Sequence, residues 1–443
     1  MTLRLQSLIH GEPDALAGQA LLFFTAIQVF FNPFPQITAV HEIGFYFSLL
    51  ILAYLLIRHP ESRLFLKSPL TVPFGLFIFW TLAGLPFALN QANSIHDIYA
   101  HLIKYMLFYY LVIFVFRTRF RFTALTWLIT LSSAIFSIGI MTHYYIVLGK
   151  RLTERLGLMT YSEMPTNIIP TITVFAAVLS ACHFLRARDW RQKAVSVFFI
   201  AIFMATTFAT QSKGAFIAFV VGMLSFLSFD KKKLAIFTSV FILTVGTIQV
   251  TTQYFTPMVE RLAQEPRIGI WYNYMEISKD YPIAGIGFGM QTYHDDAFLE
   301  KYNRRVPAAY RENLLIRAPH NMVIDVAVRT GWIGLCLFAI IMVFYMRMAW
   351  DLVKRRQDVF LADWGRCTLA AFFVIIFQGL LENTLNGPPA LILYIIFAMA
   401  TILWKMEPVT VNTYGSQSVP ESPIPGNGTA NTVLGFSTQT FKP

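Results

Sequence analysis

Apolar runs of about 20 residues, the length a helix needs to cross the hydrocarbon core of a bilayer, follow one another along most of this chain. By that ruler they fall near 16–31, 40–57, 69–88, 98–116, 124–148 and 167–185. A second set falls near 194–209, 214–229, 234–251, 331–349, 367–381 and 389–404. The pattern predicts an all-α integral membrane protein with about 12 transmembrane helices. One long polar stretch interrupts it. The chain therefore divides into nine spans over 1–251, a polar segment over 252–330, three spans over 331–405 and a tail over 406–443. The tail is rich in Thr, Ser, Pro, Asn and Gly, has too little apolar surface to order itself, and is expected to be disordered.

Composition agrees with this division: 56% of residues are hydrophobic and 13% charged, which excludes an ordinary soluble core. The net charge of +11 raises the question of nucleic acid. Its basic residues are instead dispersed over short connectors, so no nucleic-acid partner is expected. The connectors 58–67, 117–121, 186–193, 230–233 and 354–358 are cation-rich, whereas 32–37, 89–97 and 382–388 contain no Lys or Arg. The positive-inside rule then places both termini in the cytoplasm and 252–330 outside, in the periplasm if the cell is Gram-negative. Cys182, Cys336 and Cys367 lie in or at the ends of apolar runs without a CxxC pair and are read as packing residues. Residues 1–14 are polar and lack the pattern of a cleavable signal peptide, so the first span is expected to direct insertion.

Some cations lie where topology does not ask for them. Lys150, Arg151 and Arg155 are on the outer side, and the polar segment carries Arg261, Arg267, Lys279, Lys301, Arg304, Arg305, Arg311, Arg317 and Arg329. They suit anionic lipid headgroups or an anionic substrate. Arg267 opens RIGIWYNYMEIS after Pro266, with Ile270, Tyr274 and Ile277 at helical spacing, so a helix with Arg267 in its first turn is predicted. A guanidinium beside free backbone N–H groups favours a phosphate; the other reading is an arginine reaching for headgroups. His320 stands between Pro319 and Asn321 just before the chain returns to the membrane. Its imidazole is suited to accepting a hydroxyl proton or, protonated, to holding a phosphate.

The glycines of AGIGFG (284–289) follow no strand and so form no nucleotide fingerprint; a tight turn is expected. His294, Asp295 and Asp296 are adjacent but have no second carboxylate cluster, and no metal site is assigned. Asp97, His101 and Lys104, and likewise Glu382 with Asn383, sit at span ends and read as interfacial pairs or residues of an outer vestibule.

Arg267 and Trp271 in RIGIW, Pro282 after Tyr281, Gly285, Gly287 and Gly289 in the turn, His320 and Asn321 after Pro319, and Gly331 occur in an order that resembles the O-antigen ligase and polymerase superfamily. The resemblance covers roughly the second half of the chain. It implies a bacterial inner-membrane glycosyltransferase of the GT-C type with a periplasmic helical cap, taking a glycan from undecaprenyl diphosphate without a cofactor. In that family the histidine of this motif is implicated in catalysis, as base or as substrate clamp. Gln-Ser-Lys213-Gly resembles a Ser-Arg-Gly motif of the superfamily with a departure: lysine keeps the charge but loses the planar fork.

The resemblance therefore implies a diphosphate site of Lys213 and Arg267, which Arg311 and Arg317 extend, with His320 catalytic and Asn321 and Trp271 in support. Lys213 also reads as an interfacial anchor, and Arg311 and Arg317 as solvated charges. The expected activity is ligation of O-antigen polysaccharide to the lipid A-core oligosaccharide, metal-independent and inverting, among membrane lipids. The alternatives, in order, are an O-antigen polymerase, a protein O-oligosaccharyltransferase and a lipid-linked glycan transporter.

Overall fold

The computed structural model describes residues 12–156, 168–228, 267–311, 315–355 and 357–408, together with scattered positions between 230 and 250. Among these residues every regular element is helical. Helices α1 (Glu12–Phe31), α2 (Thr38–Arg58), α3 (Thr71–Ala83), α4 (Gln91–Val115), α5 (Arg119–Val147), α6 (Ile169–Arg186), α7 (Trp190–Ala209) and α8 (Lys213–Leu227) precede the polar segment. α9 (Arg267–Asp280) and α10 (Asp296–Asn303) lie within it, and α11 (Met322–Lys354), α12 (Val359–Gly379) and α13 (Gly387–Lys405) follow.

Nine of these helices are long and apolar enough to cross a membrane, among the described residues. The helical turn Pro60–Leu66 and the stretch Thr71–Phe87 meet at an 83° bend, the shape of a broken span, which would bring the number to ten, or of a re-entrant loop. α8 has 15 residues and so reaches only about 22 Å. Most of the expected span over 234–251, the start of the polar segment up to 266, and the tail from 409 lie outside the described residues.

Several helix starts follow from single side chains in the cation-rich connectors. Thr118, Asp189 and Asp358 accept hydrogen bonds from the backbone N–H groups of Arg121, Gln192 and Leu361, which caps α5, α7 and α12. Inside the bundle, burial separates centre from rim. In the apolar stretches of α6 and α13, 83% of residues are buried, against 22% in α1 and α7, so α6 and α13 are central. Small residues permit that packing: a side chain at Gly222 of α8 would strike Val374 of α12.

The cation-rich connectors gather at one end of the bundle. Arg119 forks onto Asp358, and Arg186 pairs with Asp363 at 3.2 Å. Both guanidinium groups lie over the Phe360 ring, at 5.0 and 4.8 Å. Lys405 donates to the Phe65 carbonyl, and Asp230 shares a cavity with Arg186 and Asp363. Five connectors that are far apart in sequence thus share one end.

At the opposite end, α9, the turn after it and α10 build a second small core from Ile270, Tyr274, Ile277, Ile286, Tyr293, Leu299 and Tyr302, closed by Val328 of α11. Ile270, Tyr274 and Ile277 occupy the buried face that their spacing predicts. α11 begins at Met322 and not at Gly331, where the apolar run starts. The preceding turns hold Asp325 and Arg329, which depress hydropathy yet pair with each other and are buried. Gly331 interrupts α11 with φ 70° and ψ 179°, a conformation open to glycine alone, and a side chain there would strike the Ile283 carbonyl. The backbone groups beside the kink find partners elsewhere: Trp80 Nε1 donates to the Thr330 carbonyl at 2.9 Å, and the Trp332 N–H donates to the Pro282 carbonyl at 2.8 Å.

Candidate functional site

The Gly-x-Gly-x-Gly turn is the frame of the site. Gly285 and Gly287 have φ of 71° and 104°. A side chain on Gly285 would lie 2.5 Å from the Val328 carbonyl, and one on Gly287 would lie 2.5 Å from Ala88 Cβ. The glycines therefore let the turn wedge between α11 and the start of α4. There the N–H groups of Gly289, Met290 and Gln291 donate to Ser94 Oγ, Asp97 Oδ2 and Asn93 Oδ1, at 3.1, 2.9 and 2.8 Å. Those N–H groups are already engaged, so this is a docking turn and not a phosphate cradle. Asp97 belongs to this anchor, while Lys104 of α4 pairs with Glu42 of α2.

Arg329 locks the same turn from the other side. It donates to the Phe288 carbonyl, stacks 4.0 Å over the Phe288 ring and pairs with Asp325, which also accepts from Tyr293 Oη at 3.0 Å. The Asp325–Arg329 pair is sealed in protein. Behind it a small apolar cavity between α3, α4, α11 and α13, about 40 Å³ with His101 and Arg329 among its lining residues, has room for water but not for a lipid chain.

Beside this frame, Arg267 and His320 meet on one carboxylate. Arg267 is the first described residue of α9; Pro266 lies outside the described residues. Its Nη2 donates to Glu382 Oε1 at 2.8 Å, and Glu382 Oε2 lies 3.0 Å from His320 Nδ1. Glu382 is 6% exposed and sits in the connector between α12 and α13. Asn321 fixes the approach of His320: its Oδ1 caps α11 by accepting from the Val323 and Ile324 N–H groups, and its Nδ2 donates to the Leu380 carbonyl at 3.1 Å. His320 itself takes φ 45°, which a non-glycine residue adopts at a cost. Among the described residues, its Nε2 has no recorded hydrogen bond, and the side chain is 31% exposed.

The start of α8, which carries Lys213, packs beside the Glu382 connector. Lys213 is the first residue of α8, capped by Ser212, and a side chain on Gly214 would lie 3.2 Å from Leu381 Cδ1. That contact puts the start of α8 against the residue next to Glu382. The connector after α5 joins the start of α8: Arg155 Nε donates to the Thr210 carbonyl at 2.9 Å, and the Leu156 N–H donates to the Ala209 carbonyl.

Other residues singled out from the sequence are engaged away from this carboxylate. Arg317 forks onto Asp296 at 3.1 and 2.8 Å, and the hydrogen bond from Arg317 holds the Asp296 carboxyl below its ordinary value. Arg311 donates to the carbonyls of Arg304 and Val306. Asp295 caps α10 through the Phe298 N–H. With Asp295 and Asp296 so engaged, the His294 cluster forms no metal-binding group among the described residues. Trp271 packs against the small core, and its buried Nε1 has no hydrogen bond among the described residues.

Sequence reasoning placed Glu382 at a span end but not in the site. The signal was present in its connector, where a carboxylate stands without a neighbouring Lys or Arg and must find its cation elsewhere.

The fold and site together define a multi-pass helical membrane protein with an Arg–Glu–His cluster at the end of the bundle opposite its cation-rich connectors. The model of the O-antigen ligase family matches residues 196–339, and this match supports assignment of the chain to the O-antigen ligase superfamily. The matched stretch contains Lys213, Arg267 and His320 but not Glu382. A comparison with curated proteins found no match.

Proposed function

We propose that this protein is an inverting glycosyltransferase of the GT-C type that moves O-antigen polysaccharide from undecaprenyl diphosphate to a sugar hydroxyl of the lipid A-core oligosaccharide. In this reading the protein has twelve spans in the bacterial inner membrane, both termini and the 406–443 tail in the cytoplasm, and the 252–330 segment in the periplasm. One observation carries it: Arg267 and His320, separated by 53 positions in the chain, meet on a single carboxylate at the end of the bundle away from the cation-rich connectors. The O-antigen ligase match over the same residues supports it.

The chemistry follows from the groups present. Arg267 offers a planar fork to the diphosphate, with Lys213 as a second cation near the same connector. As the bond from the anomeric carbon to the diphosphate breaks, negative charge grows on the leaving oxygen. Fixed cations stabilise that charge, each charge-assisted hydrogen bond contributing about 1.5–3 kcal/mol. His320 Nε2 takes the proton of the acceptor hydroxyl as its oxygen attacks the anomeric carbon from the opposite face. The donor is already activated by its diphosphate, so a nucleotide is not required, and transfer is expected to survive a chelator. Full inhibition by chelator, reversed by added divalent ion, would instead restore a metal role for His294, Asp295 and Asp296.

The test is lipopolysaccharide profiling of a deletion strain carrying the wild-type gene or Arg267→Ala or His320→Ala. The expected result is polymeric glycan left on its carrier beside a bare core in the deletion and in both variants. Core bearing one repeat unit would point to a polymerase, and an unchanged profile would remove the reading.

A further inference from the structure

Glu382 has no task in the reaction just described, yet it touches both of the residues that do. It cannot be a surface accident, because it is 6% exposed and its two oxygens are divided between different partners: Oε1 to Arg267 at 2.8 Å, Oε2 to His320 at 3.0 Å. The two contacts have opposite consequences for a diphosphate ligand. On the Arg267 side, the carboxylate holds a guanidinium N–H that a phosphate oxygen would otherwise accept. On the His320 side, it accepts a hydrogen bond from Nδ1–H and so leaves the Nε2 lone pair for an incoming hydroxyl.

We propose that Glu382 is a positioning residue that holds Arg267 before the donor binds, yields it to the donor diphosphate, and thereby couples donor binding to the readiness of His320. This rests on the reading of Arg267 as a diphosphate ligand. Before the donor binds, the carboxylate's charge is shared between a permanent cation and the imidazole. Once the diphosphate oxygens take over the guanidinium, Glu382 faces His320 alone and stabilises the imidazolium that forms as the proton arrives. The acceptor oxygen bonds to the anomeric carbon while the carbon–oxygen bond to the diphosphate breaks, its electron pair leaving on the phosphate oxygen. The hydroxyl proton ends on Nε2, and Glu382 stays ionised throughout. The donor therefore binds before the acceptor is activated.

The coupling separates binding from turnover. The experiment measures binding of inorganic pyrophosphate to the full-length protein in detergent and steady-state transfer on the same preparations. Glu382→Gln removes the competing charge, so pyrophosphate is expected to bind roughly three- to tenfold tighter. The same variant leaves His320 without its anionic partner, and kcat is expected to fall about 100-fold. A residue that merely props up the fold would weaken both together, and equal or weaker pyrophosphate binding by folded Glu382→Gln overturns the proposal. If that variant does not fold, Glu382→Asp decides. Its carboxylate is one methylene too short to span both partners, so kcat falls with pyrophosphate binding undiminished, and a parallel loss overturns the proposal. If wild type binds no pyrophosphate, or Arg267→Ala binds it equally well, the diphosphate reading fails first and the coupling goes with it.

Discussion

Arg329 and Arg267 each pair with a carboxylate near the N-terminal end of α11, but their surroundings differ. The side chains of Arg329 and Asp325 are 3% and 0% exposed, and the guanidinium is also held by the carbonyl and ring of Phe288. Arg267 is 20% exposed, and its partner Glu382 is shared with His320. The first pair is saturated and holds the Gly-x-Gly-x-Gly turn in place. The second has access to solvent and a carboxylate with two dependants. An ion pair near the end of the bundle is therefore no mark of a site by itself; what sets the second pair apart is its access to solvent and a carboxylate shared with an imidazole.

The comparison is broken most directly at the open pair. Arg267→Ala and His320→Ala are each expected to lower transfer by about 10²–10³-fold or more, with the unfolding midpoint in detergent close to wild type. If either keeps more than a tenth of wild-type transfer, the two regions do not differ as described. At the sealed pair the expectation reverses, because Asp325→Ala strands a buried guanidinium and costs about 3–5 kcal/mol, visible as loss of folded protein in a denaturation series. An Asp325→Ala protein as stable as wild type would put that pair in the same class as Arg267 and Glu382.

Gly331→Ala tests the frame between them. The backbone strain alone costs about 1–3 kcal/mol. The new methyl also displaces the Ile283 carbonyl, so the docked turn should loosen, measured as faster amide exchange at 284–289. The smallest effect is expected at Arg317→Ala. Both partners of its pair with Asp296 are about half exposed, so stability should be little changed and transfer should fall far less than in Arg267→Ala. A loss as large as that of Arg267→Ala would bring Arg317 into the diphosphate site. The Asp296 carboxyl is held low by Arg317, so what the pair contributes is present above the ordinary carboxylate range and lost only as pH falls through the depressed value. Near neutral pH it stays intact, and a titration of stability on acidification checks this.

Much of this organisation was legible along the chain. Apolar runs locate α1, α2, α5 to α7, α12 and α13, since hydropathy is a local property that a bilayer-spanning helix must satisfy within its own residues. The spacing of Ile270, Tyr274 and Ile277 gives α9 its buried face. The start of α11 was hidden for the complementary reason: Asp325 and Arg329 read as polar in one dimension and cancel each other in three.

The residue types, nine long apolar helices among the described residues and the turn glycines were thus determined by the sequence itself, through local patterns of hydropathy and backbone freedom. The tertiary structure alone decided that Glu382 serves Arg267 and His320, across separations of 115 and 62 residues. Such a pairing depends on how helices pack, and a buried carboxylate records in the sequence only its need for a cation, not which cation will meet it.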